Sequence, residues 1–347
     1  MEIWDFLREG VRQGASDVHL TVGAPPMLRV EGDLRPIRGS EPLRAEETAQ
    51  LVEALLDKER SSGWKGGGES DFSCQSPDGI RFRVQAFQRM GHLALAIRVI
   101  PSRVPTPEQL GLSASLTSLM ERRQGLFLVT GPTGSGKSTT LACLLQQINE
   151  RYARRIITLE DPIEYVYEHR RSLIDQREVG RDTASFSSGL RSALRQDPDV
   201  ILLGEMRDQE TIATAITAAE TGHLVLSTLH TSDAPQTVDR MLDAFPAQGQ
   251  RQIRAQLASA LLGVVSQRLL PRADGGGRVA VQEILINTQA VANLIRTEKA
   301  HQLRTAMQTG RSIGMQTFRM HLVELLRAGV IDEQAFESQV KMIGNKE

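Results

Sequence analysis

The sequence predicts an α/β protein: a small α+β domain followed by a larger domain built on a parallel sheet. Three observations carry this reading. From Leu110 onward, short apolar runs alternate with helical segments, the pattern of parallel strands joined by crossover helices. The runs are Leu126–Thr130, Arg155–Leu159, Val200–Leu203 and Leu224–Thr228. Second, the first run leads into Gly131-Pro132-Thr133-Gly134-Ser135-Gly136-Lys137-Ser138, which fits G-x-x-x-x-G-K-[ST]. Third, Ile80–Phe87 alternates with period two, as a strand of a half-exposed antiparallel sheet does.

The elements follow in order. Asp5–Gln13 has helical spacing. Met27–Arg35 reads as two strands joined at Gly32-Asp33. Ala45–Arg60 is predicted helical, with Leu51, Val52, Leu55 and Leu56 on one face. Trp64–Gly68 is predicted to be a loop, and His92–Ile100 a strand beside Ile80–Phe87. Pro101, Pro105 and Pro107 mark a linker, since proline removes a helical donor and fixes φ. The expected boundaries are residues 1–100 for the first domain, 101–109 for the linker and 110–347 for the second domain. Pro271–Arg278 reads as a turn between two strands. After Thr288 the pattern is helical over Ala290–Arg296, Gln302–Gln308, Met315–Ala328 and Asp332–Met342.

Composition limits the function classes. The chain has 347 residues, 40% apolar and 24% charged, enough for a sizeable core. A net charge of −1 and 4% aromatics give no whole-chain case for nucleic acid, so none is expected as a partner. Cys74 and Cys143 are the two cysteines, too few for a disulfide framework or a four-cysteine zinc site. The N-terminus lacks signal-peptide character, and no uninterrupted apolar run reaches membrane-spanning length. A cytoplasmic location is expected.

The glycine-rich loop carries the clearest chemistry. Its glycines let the backbone curl so that successive N–H groups point at phosphate oxygens, and the following helix adds its positive end. Gly131, Pro132, Thr133, Gly134, Ser135, Gly136, Lys137, Ser138 and Thr139 are the candidate ATP-binding residues. Lys137 is expected to reach the β- and γ-phosphates and the Ser138 hydroxyl to hold Mg²⁺. Val200–Leu203 runs into Gly204-Glu205, an acid at a strand's C-terminal end, where open α/β sheets bind ligands. Glu205 is therefore a candidate to orient the metal shell or the attacking water. Arg155–Leu159 leads into Glu160, Asp161 and Glu164. Taken alone these would be solvated loop acids. After an apolar strand, Glu164 becomes a candidate base, and Glu160 and Asp161 candidate metal partners. His223 and His230 bracket the fourth run, and an imidazole near the γ-phosphate can donate to its oxygens. The spacing favours His223 over His230 for this role. Arg81, Arg83 and Arg98 lie on first-domain strands. Such arginines are usually a solvated sheet face, and the alternative is that they reach a phosphate as arginine fingers.

Lined up, these motifs resemble the secretion ATPases of the type II and type IV systems, and within that family the branch that retracts type IV pili. Ala15-Ser16-Asp17-Val18-His19-Leu20 is similar to the family's N-terminal signature. Gly131–Ser138 resembles its Walker A, Glu160–Glu164 its aspartate box, Leu194–Asp208 its Walker B and Thr221–Thr231 its histidine box. The resemblance covers essentially the whole chain. It implies a PAS-like N-terminal domain, a RecA-like ATPase domain with C-terminal helices, a homo-hexameric ring and ATP with Mg²⁺. It also implies arginine fingers on strands like those of Arg81, Arg83 and Arg98, and docking on an inner-membrane pilus platform protein. Gly204-Glu205 is similar to the family's usual Walker B ending. The retraction branch carries A-I-R-N-L-I-R-E, and Ala290–Thr297 matches it at five of eight positions, with Ala292 and Thr297 among the departures. Other readings of the chain are a retraction accessory paralogue, an extension or secretion ATPase, or a nucleic-acid translocase.

Overall fold

A computed structural model of the chain describes residues 2–30, 32–55, 68–100 and 103–343. The expected loop at Trp64–Gly68 lies almost wholly outside these residues, as do the last turns of the helix expected over Ala45–Arg60. The chain divides into two compact units, Met1–Arg103 and Val104–Glu347.

The first unit is a six-stranded antiparallel sheet with helices on one face. Its strands are β1 (Asp17–Leu20), β2 (Met27–Val30), β3 (Asp33–Pro36), β4 (Ser70–Gln75), β5 (Arg81–Arg89) and β6 (His92–Val99). They lie in the order β3-β2-β1-β6-β5-β4. Alternation sends Val18, Leu20, Phe82, Val84, Leu95 and Ile97 into one core. The helix Ile3–Arg12 covers that face with Ile3, Phe6, Leu7 and Gly10, at spacings of three and four residues. Gly10 allows close approach: a Cβ there would come within 2.8 Å of Val18 Cγ2. The helix Ala45–Leu55 adds Leu51, Val52 and Leu55.

The second unit is a seven-stranded sheet. Its strands are β7 (Gly125–Thr130), β8 (Arg155–Glu160), β9 (Leu173–Glu178), β10 (Val200–Leu203), β11 (Leu224–Leu229), β12 (Leu261–Pro271) and β13 (Arg278–Ile286). The order is β13-β12-β7-β11-β10-β8-β9. Every neighbouring pair is parallel except β12 and β13. The central strands read as continuous apolar runs because both faces are covered. Leu126, Leu128, Ile201, Leu203 and Val225 pack one face against the helices Gln209–Glu220 and Ala247–Ala260. Phe127, Val129, Val200, Leu202 and Leu226 pack the other against the helix Lys137–Arg151.

The expected mixed α/β class holds, and two differences have local causes. The edge strand β9 has a half-polar burial pattern, so it carried no apolar-run signal. The helix expected from Met315 begins at Phe318: Gly314 is left-handed, and the Thr317 hydroxyl caps the new helix by accepting from the Met320 N–H.

Candidate functional site

Parallel pairing brings four strand ends to one edge of the sheet. β7, β8, β10 and β11 run in one direction, in register from Leu203 beside Leu159 and Ser227 to Leu229 beside Thr130. The glycine-rich loop follows β7, the Glu160–Glu164 segment follows β8, Glu205 follows β10 and His230 follows β11. This is the edge at which open α/β sheets hold ligands.

Within the loop, Gly131, Gly134 and Gly136 take φ of 144°, 77° and 85°, a region that penalises a Cβ. Gly131 is also constrained in space, since a Cβ there would stand 2.3 Å from the Gln267 carbonyl oxygen. The helix starts at Lys137, directly after Gly136. Pro132, Thr133 and Gly134 are exposed, whereas Ser135 and Lys137 are buried. Lys137 Nζ donates to the carbonyls of Gly131 and Pro132, each at 2.9 Å. Burial lowers its pKa, and the nearby Glu164 and Glu205 carboxylates oppose that shift. Ser135 Oγ is buried with no hydrogen-bond partner. A cradle closed to side chains, with an unsatisfied hydroxyl and a buried ammonium, suits a phosphate. Ser138 is half-buried, and Thr139 Oγ1 lies 3.0 Å from the Tyr165 hydroxyl.

The acids differ in setting. Glu205 is anchored by its neighbours: the Gly204 N–H donates to the Leu159 carbonyl at 2.8 Å, and Thr228 Oγ1 donates to the Gly204 carbonyl at 2.6 Å. Its carboxylate meets Arg207 Nη2 at 2.7 Å and His230 Nε2 at 3.4 Å. Glu160 is buried, and accepts from Thr158 Oγ1 at 2.6 Å and Gln176 Nε2 at 3.1 Å. Burial pushes its pKa up to about 7, against those two hydrogen bonds. Glu164 is half-buried and Asp161 exposed.

The two histidines are not equivalent: His230, not the favoured His223, lies at the edge that holds the loop and Glu205. Leu224 pairs with Gly125 and Leu229 with Thr130, so His223 precedes the start of β11 and His230 follows its end. Six strand residues lie between them, so seven steps of about 3.3 Å put them roughly 23 Å apart. His223 Nδ1 lies 3.0 Å from the Ala218 carbonyl, away from the glycine-rich loop. Local periodicity shows that both flank a strand; the signal that separates them is chain direction, since ligands bind at the C-terminal ends of parallel strands and His230 lies at that end.

In the first unit, β5 and β6 place Arg83 opposite Arg98, and Arg98 lies opposite Asp17 on β1. Arg83 makes a bidentate pair with Asp71 at 3.1 and 2.7 Å. Arg98 Nε donates to Asp17 at 3.0 Å, and Arg81 Nη2 to Ser73 Oγ at 2.8 Å. Asp17 belongs to the N-terminal signature, so the sheet joins that motif to the arginine row. Tyr165, Arg207 and Gln267 touch the candidate residues and were given no role from the sequence. Arg207 falls inside the Leu194–Asp208 stretch and Tyr165 directly follows Glu164, whereas the one signal for Gln267 is Ser266-Gln267, a polar pair inside an apolar strand.

A parallel sheet with a glycine-rich phosphate loop, a buried lysine and an acid at the end of β10, one strand beyond the loop strand's neighbour β11, defines a phosphate-loop ATPase. The particular family follows from comparison: residues 3–311 match the type II/IV secretion system protein family, and the chain belongs to it. It is 47% identical over 345 residues to the Type IV pilus retractation ATPase PilT of Pseudomonas aeruginosa, covering 99% of this chain and 100% of that protein. The Type IV pilus ATPase PilU of the same organism is 39% identical over 331 residues, 95% of this chain and 86% of that one. The crystal structure of the pilus retraction motor PilT with bound ADP superposes with a TM-score of 0.90 at 43% identity, covering 97% of this chain and 96% of that chain.

Proposed function

We propose that this chain is a motor that hydrolyses ATP to power type IV pilus retraction. The observation that carries the reading is end-to-end similarity to PilT, 47% over 345 residues, in a chain whose loop, acids and His230 meet at one sheet edge. Lys137 contacts the β- and γ-phosphates, exchanging its two loop carbonyls for phosphate oxygens. Ser138 and Glu205 offer the hard oxygen donors that suit Mg²⁺, which when bound neutralises charge on those oxygens. Glu164 acts as the base toward water. Glu160 and Asp161 support the metal's outer shell. His230, held beside Glu205, donates to the γ-phosphate. Arg81, Arg83 and Arg98 serve as fingers, Asp17 and Asp71 holding two of them in place until a phosphate takes over.

The working form is a homo-hexamer at the cytoplasmic face of the inner membrane, docked on a pilus platform protein. No helix among the described residues is long and apolar enough to cross a membrane, and the proposed attachment is through that partner. The test is pilus dynamics in a strain lacking this protein. Pili should persist and fail to retract, and the wild-type chain should restore retraction where K137A does not. Normal retraction, or loss of pili, in the deletion strain would reject the reading.

A further inference from the structure

Gln267 sits inside β12 at 1% exposure, and no step above uses it. Its Nε2 donates to the Ser135 carbonyl at 2.7 Å, and its Oε1 accepts from Thr140 Oγ1 at 3.0 Å. Its own carbonyl oxygen occupies the space a Gly131 Cβ would need, and its amide nitrogen would stand 3.2 Å from a Cβ on Gly136. One residue thus meets the loop at its first and last glycines, at the carbonyl between Ser135 and Gly136, and at the first turn of the helix. Parallel pairing fixes its height: Ser266 lies beside Thr130, with their hydroxyls 2.8 Å apart.

We propose that Gln267 is a positioning residue that sets the loop's peptide orientation for phosphate binding. The proposal rests on the nucleotide-binding reading above. A trans peptide carries its N–H and C=O on opposite sides. Tying the Ser135 carbonyl to Gln267 therefore turns the Gly136 N–H away from β12. Ser135 is flanked by Gly134 and Gly136, which leave this peptide little intrinsic preference. Released, the peptide is free to rotate and present a carbonyl oxygen where an anion needs a donor. The Thr140 contact references the same amide to the helix, so loop and helix N-terminus keep one geometry.

The test is calorimetric titration of the purified full chain with Mg-ADP, beside the melting temperature without nucleotide. Q267L removes both side-chain bonds. Q267M keeps the length and volume and makes neither bond, without adding a charge beside the phosphates. Both should weaken ADP about tenfold or more, the worth of one buried hydrogen bond. Turnover at saturating ATP should fall less than kcat/KM. A residue that merely fills the core would lower the melting temperature and leave ADP affinity at the wild-type value in the folded variant, and that result would overturn the proposal. If Q267L does not fold, Q267M carries the test on the same terms. K137A runs alongside: ADP affinity and turnover both at the wild-type value in K137A would reject the nucleotide reading, whereas loss in K137A with none in the Gln267 variants would reject the clamp alone.

Discussion

Lys137 holds its ammonium against two loop carbonyls, in a site dry enough to depress its pKa. The conformation keeps the charge inside the loop, within electrostatic reach of Glu164 and Glu205. Specificity at the residue scale comes from which strand end a side chain occupies. His230 lies beside Glu205 and His223 does not, although the two sit in nearly symmetric sequence contexts. H230A is therefore expected to lower ATP turnover by about 10²-fold, the scale of one lost proton donor, and H223A to lower it much less. Steady-state hydrolysis assays on the two purified variants decide this. Equal losses would contradict the placement. The loop and strand-end acids were legible because glycine spacing and an apolar run ending in an acid are local signals. The Gln267 contacts were not, since they join residues 127 and 132 positions apart.

At the scale of elements, the core was legible wherever one periodicity dominated. β7, β8, β10 and β11 announce themselves because both faces are buried, and β5 because one face is. β9 and β4 were not, because edge strands mix polar and apolar positions without a clean period. The C-terminal helices dock on β13 through a titratable contact. The Gln282 N–H donates to His321 Nδ1 at 2.9 Å, so the ring is held neutral, and burial lowers its pKa below the ordinary 6.5, against the pull of Glu324. A proton that the unfolded chain accepts more readily than the folded one makes stability fall with falling pH. That loss begins as pH drops through about 6.5 and continues to the depressed folded value. H321Q, which can still accept from Gln282, should flatten the pH dependence of the melting temperature below pH 6.5. An unchanged slope would show that His321 is not its source.

At the scale of the whole molecule, the two units carry different sets of candidate residues. The second carries the loop, the acids and His230, and the first carries an arginine row braced by Asp17 and Asp71. Family membership was legible from the ordered succession of boxes, which end-to-end similarity to PilT bears out. One edge of the second sheet is expected to bind Mg-ATP and hydrolyse it. Hydrolysis and nucleotide affinity, measured together on purified wild type, K137A and E205A, test it most directly. Wild type should turn over ATP only with Mg²⁺. K137A should lose binding or turnover, and E205A should bind nucleotide yet lose about 10²-fold or more in turnover. Wild-type turnover in both variants would contradict the account.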